Sequence, residues 1–398
     1  YEITRSDWSS DVCSSDLGAS GDGGAIELSA KNLVTLAGGQ FKAGAEGGRA
    51  GSILIDPSGV SFNWNGLAFD QFITDGASYS VIASDFITLN DVYLSTRKVA
   101  ADKANRTDIA STSSTGDSGN LLLQAPTITV SGGSKLLAYA DSGFTGGDIT
   151  VVATRTTGGD AMISVDGSTI RGRNVTLKAS SNLSDASPGL LVLSGLNSSD
   201  ASANIVIDSS HIATSGGELN LASTAAVNVS ATGSIPVAVL LSTTKAGVDV
   251  KGSSSLTTTV GNANLSASAT VTTTAKPTSP LASKAGDAMV ATSKVNSDAT
   301  VHIGDTTSAN IDGVLGLGAT NTVSTTQVAD ASAAGSSAAG AALALSIIHG
   351  TSTAKIDGDA NIVSVNGLNL SALSTNTVTA MAKAAANNTQ KNKTKTNQ

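Results

Sequence analysis

The chain has 398 residues, 14% charged, 3% aromatic and 40% hydrophobic, with a formal charge of -8. That balance is too apolar for ordinary disorder and too poor in charge for a coiled coil. There is no basic stripe to suit a nucleic-acid partner, and no apolar run approaches the roughly 20 residues of a membrane-spanning helix.

Tyr1 to Leu17 stands apart from the rest. Asp7-Trp8-Ser9-Ser10-Asp11-Val12-Cys13-Ser14-Ser15-Asp16-Leu17 resembles a translated sequencing adapter. Residues 1–17 are therefore set aside from fold reasoning. The expectation is a fragment whose native N-terminus is missing, so the lack of a leader says nothing about export. Glu2, Asp7, Asp11 and Asp16 stand against Arg5 in this stretch, which leaves the remainder near -5. Cys13 is the single cysteine and also falls here. Secreted domains often rely on disulfides, whereas a chain threaded unfolded through an outer membrane must do without closed loops. A native chain free of cysteine suits bacterial export.

From Gly18 onward one phrase keeps returning: glycine, then apolar residues at alternate positions, often closing on alanine. It reads Gly23-Gly24-Ala25-Ile26-Glu27-Leu28-Ser29-Ala30, then Gly51-Ser52-Ile53-Leu54-Ile55. It returns at Gly119 to Ala125, Gly146 to Ala153, Asn174 to Ala179 and Gly216 to Ala222. Period-two alternation predicts strands. Ile26 to Ile53 is 27 positions, Leu121 to Ile149 is 28, and Ile149 to Val175 is 26. A near-constant step predicts stacked coils, each one turn of a parallel β-helix. Leu33 and Leu36 extend the first coil, and the glycine pairs at 38–39 and 47–48 turn the chain.

Residues 62–93 hold most of the native aromatics: Phe62, Trp64, Phe69, Phe72, Tyr79, Phe86 and Tyr93. Phe62, Trp64, Phe69, Phe72 and Tyr79 form a candidate sugar- or partner-binding patch. The plainer reading is a hydrophobic plug under the next segment. That segment, residues 98–118, is polar and aperiodic, and reads as an irregular loop leaving the coil. Residues 132–212 resume the coils, with Ile163, Val165, Ile170, Val175, Leu177, Leu191, Leu193, Ile205 and Ile207 facing inward.

From Gly216 the texture shifts to Ala and Thr. A repeat of roughly fifty residues emerges, starting at Leu219-Asn220-Leu221, Asn264-Leu265, Leu315-Gly316-Leu317 and Leu368-Asn369-Leu370. Each start is followed by a Thr/Ala/Val run: Val227-Asn228-Val229, Val271, Val323 and Val378. Thr353-Ala354-Lys355-Ile356-Asp357-Gly358 echoes Ser308-Ala309-Asn310-Ile311-Asp312-Gly313, which suggests one register for both phrases. Residues 331–348 suit a helix by alanine content, but Gly335, Gly340 and the alternation around Leu343 and Leu345 favour strand. The expected organisation is a β-helix over 18–215, an Ala/Thr-rich continuation of the solenoid over 216–389, and a frayed tail over 390–398. Aromatics stop at Phe144, so the girdles of a membrane β-barrel are missing.

Several of these phrases are similar to the passenger region of filamentous haemagglutinin-like bacterial adhesins, including two-partner-secreted exoproteins. The likeness is carried by Gly51-Ser52-Ile53-Leu54-Ile55-Asp56-Pro57, Leu94-Ser95-Thr96-Arg97 and Asp117-Ser118-Gly119-Asn120-Leu121. Leu123-Gln124-Ala125-Pro126-Thr127-Ile128-Thr129-Val130 and Gly146-Gly147-Asp148-Ile149 add to it. The resemblance is best over 18–179. It implies an all-β, right-handed parallel β-helix, an outer-membrane exporter as partner, and attachment to a host or neighbouring cell, matrix or glycan.

No catalytic constellation stands out. His211, His302 and His349 are far apart and have no neighbouring Cys or second His, so no metal site and no cofactor is expected. No serine sits in a nucleophile elbow with partners. The Gly-Gly-Asp phrases at 146–148 and 158–160 are single, unlike tandem calcium-binding nonapeptides, and read as turns. Gly21-Asp22-Gly23-Gly24 lacks the Lys-Ser/Thr of a phosphate loop. Asp85, Asp91, Asp166 and Asp208 are the carboxylates available to a polysaccharide-cleaving β-helix enzyme. The leading expectation is a non-enzymatic, secreted or surface-exposed adhesin segment. A β-helix lyase or hydrolase and a purely structural stalk are the alternatives.

Overall fold

The structure is a computed structural model and describes residues 21–29, 41–45, 48–56, 70–188, 196–233, 235–278, 287–332, 340–364 and 366–384. The adapter-like stretch 1–17, Leu33, Leu36, Leu191, Leu193 and the tail 390–398 lie outside these residues.

Among the described residues the fold is a parallel β-helix. Three parallel sheets run its length, with ten, seven and eight strands. A coil visits them in turn. Ser78–Ile82 lies in the first sheet, Phe86–Asn90 in the second and Tyr93–Ser95 in the third. Leu121–Gln124, Thr127–Ser131 and Lys135–Leu137 repeat the circuit directly on top.

Alternating apolar residues become continuous interior columns. In the first sheet one column reads Ile26, Ile53, Tyr79, Leu121, Ile149, Val175, Leu219, Ala263, Leu315 and Leu368. In the second, Ile87, Ile128, Ile163, Ile205, Val248, Val301 and Ala354 align. In the third, Leu94, Leu136, Ile170, Ile212, Leu256, Ala309 and Ile362 align. Apart from the exposed Leu368, these three columns meet in one core. Burying each such Ile, Leu or Val contributes about 1.5–3 kcal/mol. The steps of 27, 28 and 26 residues read from the sequence are rung-to-rung pairings.

Coils widen along the axis. The first-sheet strand grows from Ile149–Arg155 to Val175–Pro188, Leu219–Gly233, Ala263–Pro277 and Val314–Ala331. The second-sheet strand grows likewise, to Val237–Lys251, Asp287–Ile303 and Gly340–Ile356. The third keeps four-residue strands such as Ser255–Thr258 and Ser308–Ile311. Beyond the third sheet the long strands of the other two face each other directly. Their shared interior is narrow and takes small or hydrogen-bonding side chains: Ala201, Ala225, Ala246, Ala269, Ser223, Ser297 and Asn321 are all buried. This explains the Ala/Thr texture and the longer repeat, whose steps are 44 residues at Leu219 to Ala263 and 53 at Leu315 to Leu368. Gly340–Ile356 is strand, not helix.

One register expectation is corrected. Ser308–Ile311 pairs with Asn361–Ser364 in the third sheet, whereas 353–356 pairs with 300–303 in the second. The two echoing phrases are both strand ends before a turn, but at different corners of the coil. Val323 pairs with Asn376, two residues before Val378. A shift of two residues keeps the same face, so alternation alone does not reveal it.

Residues 98–118 leave the coil as expected, with one 3-10 turn at Ala101–Lys103. Val99 and Ile109 fold back onto Phe72, Leu137 and Tyr139 as a small second core.

Candidate functional site

Parallel in-register stacking places residues one coil apart side by side on the outer faces. On the second sheet, one outward column reads Val206, Asp249, His302 and Lys355. The neighbouring column reads Asn204, Gly247, Thr300 and Thr353. These residues line a groove of about 660 Å³ with Met162 and Lys245 at its sides. Gly247 forms its dip, because a Cβ there would lie 2.7 Å from Asn204 Oδ1.

His302 is the centre of this face. Its Nδ1 lies 2.8 Å from Asp249 Oδ1 and its Nε2 lies 2.6 Å from Asp357 Oδ1. A neutral imidazole has one N–H, whereas an imidazolium has two. Carboxylates at both nitrogens therefore match the charged ring. Partial burial works against that charge, but the hydrogen bonds to Asp357 and Asp249 outweigh it and hold the pKa above the ordinary value. Hydrogen bonds from Lys355 and then His302 hold the Asp357 carboxyl below its ordinary value. Lys251 Nζ lies 3.9 Å from both Asp208 Oδ2 and Asp249 Oδ2. The result is a strip of charged groups beside Asn204, Thr300 and Thr353, on a groove that also presents Met162, Ile205 and Val206. An imidazolium between carboxylates is also a potential proton donor.

The outer face of the first sheet is different. Thr270, Thr272 and Thr274 pair with Thr322, Ser324 and Thr326, and these with Thr375, Thr377 and Thr379. Alternation buries the residues between them in the first two rows. The outcome is a three-by-three lattice of hydroxyls, spaced roughly 6.6 Å along the strand and about 4.8 Å between coils.

The residues singled out in the sequence fall in several places. Tyr79 is 1% exposed and fills the Ile53–Leu121 column, so its ring faces the interior. Burial raises its pKa well above the ordinary value. Phe72 is 8% exposed and lies beneath the loop, where the plug reading put it. Phe62, Trp64 and Phe69 lie outside the described residues. Asp166 and Asp208 are register partners at second-sheet strand ends, while Asp85 and Asp91 flank the Phe86–Asn90 strand of an earlier coil. Asp91 accepts a hydrogen bond from Arg106 Nη1 at 2.7 Å. Gly158 and Gly159 adopt positive φ where the chain bends into the Gly159–Asp166 strand. The Asp148 carboxylate accepts from Arg173 and Asn174. His211 sits in the third sheet, where burial and then Arg171 lower its pKa. Among the described residues, no group of three or more His, Cys, Asp or Glu is arranged to hold a metal, and no helix is long and apolar enough to cross a membrane.

Local reading passed over His302 because its partners are 53 and 55 residues away. The signal was the fifty-residue repeat: one step back from His302 is Asp249, one step forward is Lys355. Searches against family models, curated proteins and solved structures find no match for this chain.

Proposed function

We propose that this chain is a segment of a non-enzymatic bacterial surface adhesin, exported across an outer membrane and displaying a β-helical face to a cell or matrix. The observation that supports this reading most is the hydroxyl lattice on the first sheet. A repeating face engages a repeating polar surface, such as a glycan chain, through many weak contacts at once. The coil stack supplies rigidity, since each coil is held by its neighbours. The test is retention of cells and matrix glycans on beads coated with the chain, beside the double variant Thr272→Lys, Ser324→Lys. Retention above bare beads, reduced several-fold in the variant, is expected. Retention equal to bare beads removes the reading.

A second reading, a β-helix enzyme that cleaves polysaccharide, draws on the His302 groove, where a proton donor and carboxylates stand beside Asn204, Thr300 and Thr353. Incubation with acidic polysaccharides separates the two. New reducing or unsaturated ends that vanish in His302→Gln would replace the adhesin reading.

A further inference from the structure

The His302 cluster joins three successive coils through side chains alone. Asp249 belongs to the Val237–Lys251 strand, His302 to Asp287–Ile303, and Asp357 follows Gly340–Ile356. Backbone ladders already connect these strands, but Gly340–Ile356 is the edge of the second sheet. Its residues are half-buried or exposed throughout. The first-sheet strand beside it, Gly367–Ala384, is exposed along its whole length. The cluster therefore fastens the edge strand of the second sheet to the two strands beneath it.

We infer that His302 is a proton-operated clasp: doubly protonated, it ties the Gly340–Ile356 coil to the solenoid body, and on losing a proton it releases one of its two carboxylates. The groups facing it define the balance. Asp249 and Asp357 contact the ring, and Lys355 contacts Asp357. Lys251 and Asp208 flank Asp249 in the neighbouring column. Asp305 lies in the following turn, its carboxylate accepting the Gly252 N–H at 3.0 Å. Lys245 stands across the groove. A ring with one proton donates to one aspartate and turns a lone pair toward the other, which repels it.

Gly304 supports the reading. A Cβ there would lie 2.5 Å from His302 Cε1, 2.6 Å from Nε2 and 3.0 Å from Asp357 Oδ1. Its φ lies outside the left-handed region, so the backbone there suits any residue. The empty space above it is occupied by the clasp, so glycine here is explained by the ring and not by a turn.

The sign follows from linkage. His302 is held above its ordinary value in the fold, so its contribution is complete below the unfolded-state pKa of about 6.5 and fades as pH rises through the folded value. Asp357 is held below its ordinary value, so its contribution is lost as pH falls through that lowered value. The coil is firmest in mild acid and loosens toward alkaline pH.

The experiment is NMR titration of the His302 ring in the full chain, with hydrogen exchange of Gly340–Ile356 read across the same pH range and corrected for intrinsic rates. A His302 midpoint above that of an ordinary imidazole is expected, falling in both Asp249→Asn and Asp357→Asn. Protection of Gly340–Ile356 should drop several-fold as pH rises through that midpoint in wild type and stay level in His302→Asn. Gly304→Ala keeps every charge and should also flatten the profile by displacing the ring. A midpoint at or below the ordinary value, or an unchanged profile in His302→Asn or Gly304→Ala, overturns the clasp. Cell-retention results do not enter this test, so it stands or falls apart from the adhesin reading.

Discussion

Arg97 shows how one side chain fixes an excursion from the solenoid. Its side chain is 1% exposed, and its guanidinium donates to Tyr139 O at 3.3 Å, Thr112 O at 2.9 Å, Ser114 Oγ at 3.3 Å and Asp141 Oδ2 at 3.0 Å, and also to Ile109 O. It stacks 3.9 Å from the Tyr139 ring, which also carries Arg171 at 3.7 Å. The loop carbonyls at 109 and 112 thus find donors that no strand supplies, and burial lowers the Arg97 pKa without releasing its proton. Arg97→Met should cost about 3 kcal/mol, because it leaves several acceptors unpaired. Urea unfolding measures that loss, and limited proteolysis should then cut within 98–118 first. Arg97→Lys should recover only part of it, since an ammonium cannot reproduce the planar fork. Gly147 is a simpler case. A Cβ there would lie 1.8 Å from Gly119 O on the coil below. Backbone cannot yield that far, so Gly147→Ala should lower the melting temperature clearly, whereas alanine at Gly318, with open space around it, should not.

At the scale of elements, each corner of the coil has its own ladder. Between the second and third sheets runs a column of buried hydroxyls, Ser134, Ser168, Ser210 and Ser254, continued by Thr307. The Val92 N–H donates to Ser134 Oγ, the Ser168 N–H to Ser210 Oγ and the Ser210 N–H to Ser254 Oγ. Ser210 Oγ in turn donates to Asp208 O at 2.7 Å. At this corner the chain bends away from the sheet ladders, and the hydroxyls replace missing backbone partners. Ser210→Ala should therefore cost about 1–3 kcal/mol, the penalty for a buried N–H left unpaired at Ser168, read as a lower urea midpoint. Between the third and first sheets, side chains of Asn120, Asn174 and Asn262 accept the N–H groups of Asp148, Glu218 and Val314 on the next coil. In the narrow part, Ser297 Oγ donates to Asn321 Oδ1 and Asn321 Nδ2 returns a bond to Ser297 O, each at 2.7 Å. Gln327 Nε2 donates to Ser293 Oγ at 2.9 Å. Such polar seams fix which strand opposes which, a task that alternating alanines perform poorly.

For the whole molecule, stacking makes stability a sum of neighbouring coils with no single central core. Middle coils have neighbours on both sides, whereas Gly367–Ala384 has one among the described residues. Hydrogen exchange should accordingly be slowest in strands such as Thr169–Gly172 and the Ile149–Arg155 strand beside it, and fastest in Gly367–Ala384. A uniform protection profile would argue for one cooperative unit. The same end leaves inward side chains of Leu368, Leu370 and Val378 exposed beside three strand edges that have no partner among the described residues. Edges of that kind template further pairing. The chain should self-associate with rising concentration in light scattering, and Leu370→Lys should reduce it by placing a charge on the exposed inner face.

Sequence alone determined the architecture of the coils, because alternation and repeat length are local quantities. Ile26 to Ile53, Leu121 to Ile149 and the starts at Leu219, Leu315 and Leu368 are spacings that any reader of the chain can measure, and parallel stacking turns each into a contact. Tyr79, placed by the sequence reading in a candidate binding patch, is buried by the same rule, since it lies one 26-residue step after Ile53. Only the tertiary structure decided which outward residues meet. Asp249, His302 and Asp357 become a cluster because coils of 53 residues lie in register, and the mistaken pairing of 308–313 with 353–358 shows how a shift of a few residues would have separated them. The hydroxyl lattice has the same origin, for its threonines gain meaning as a surface only when three strands lie beside one another.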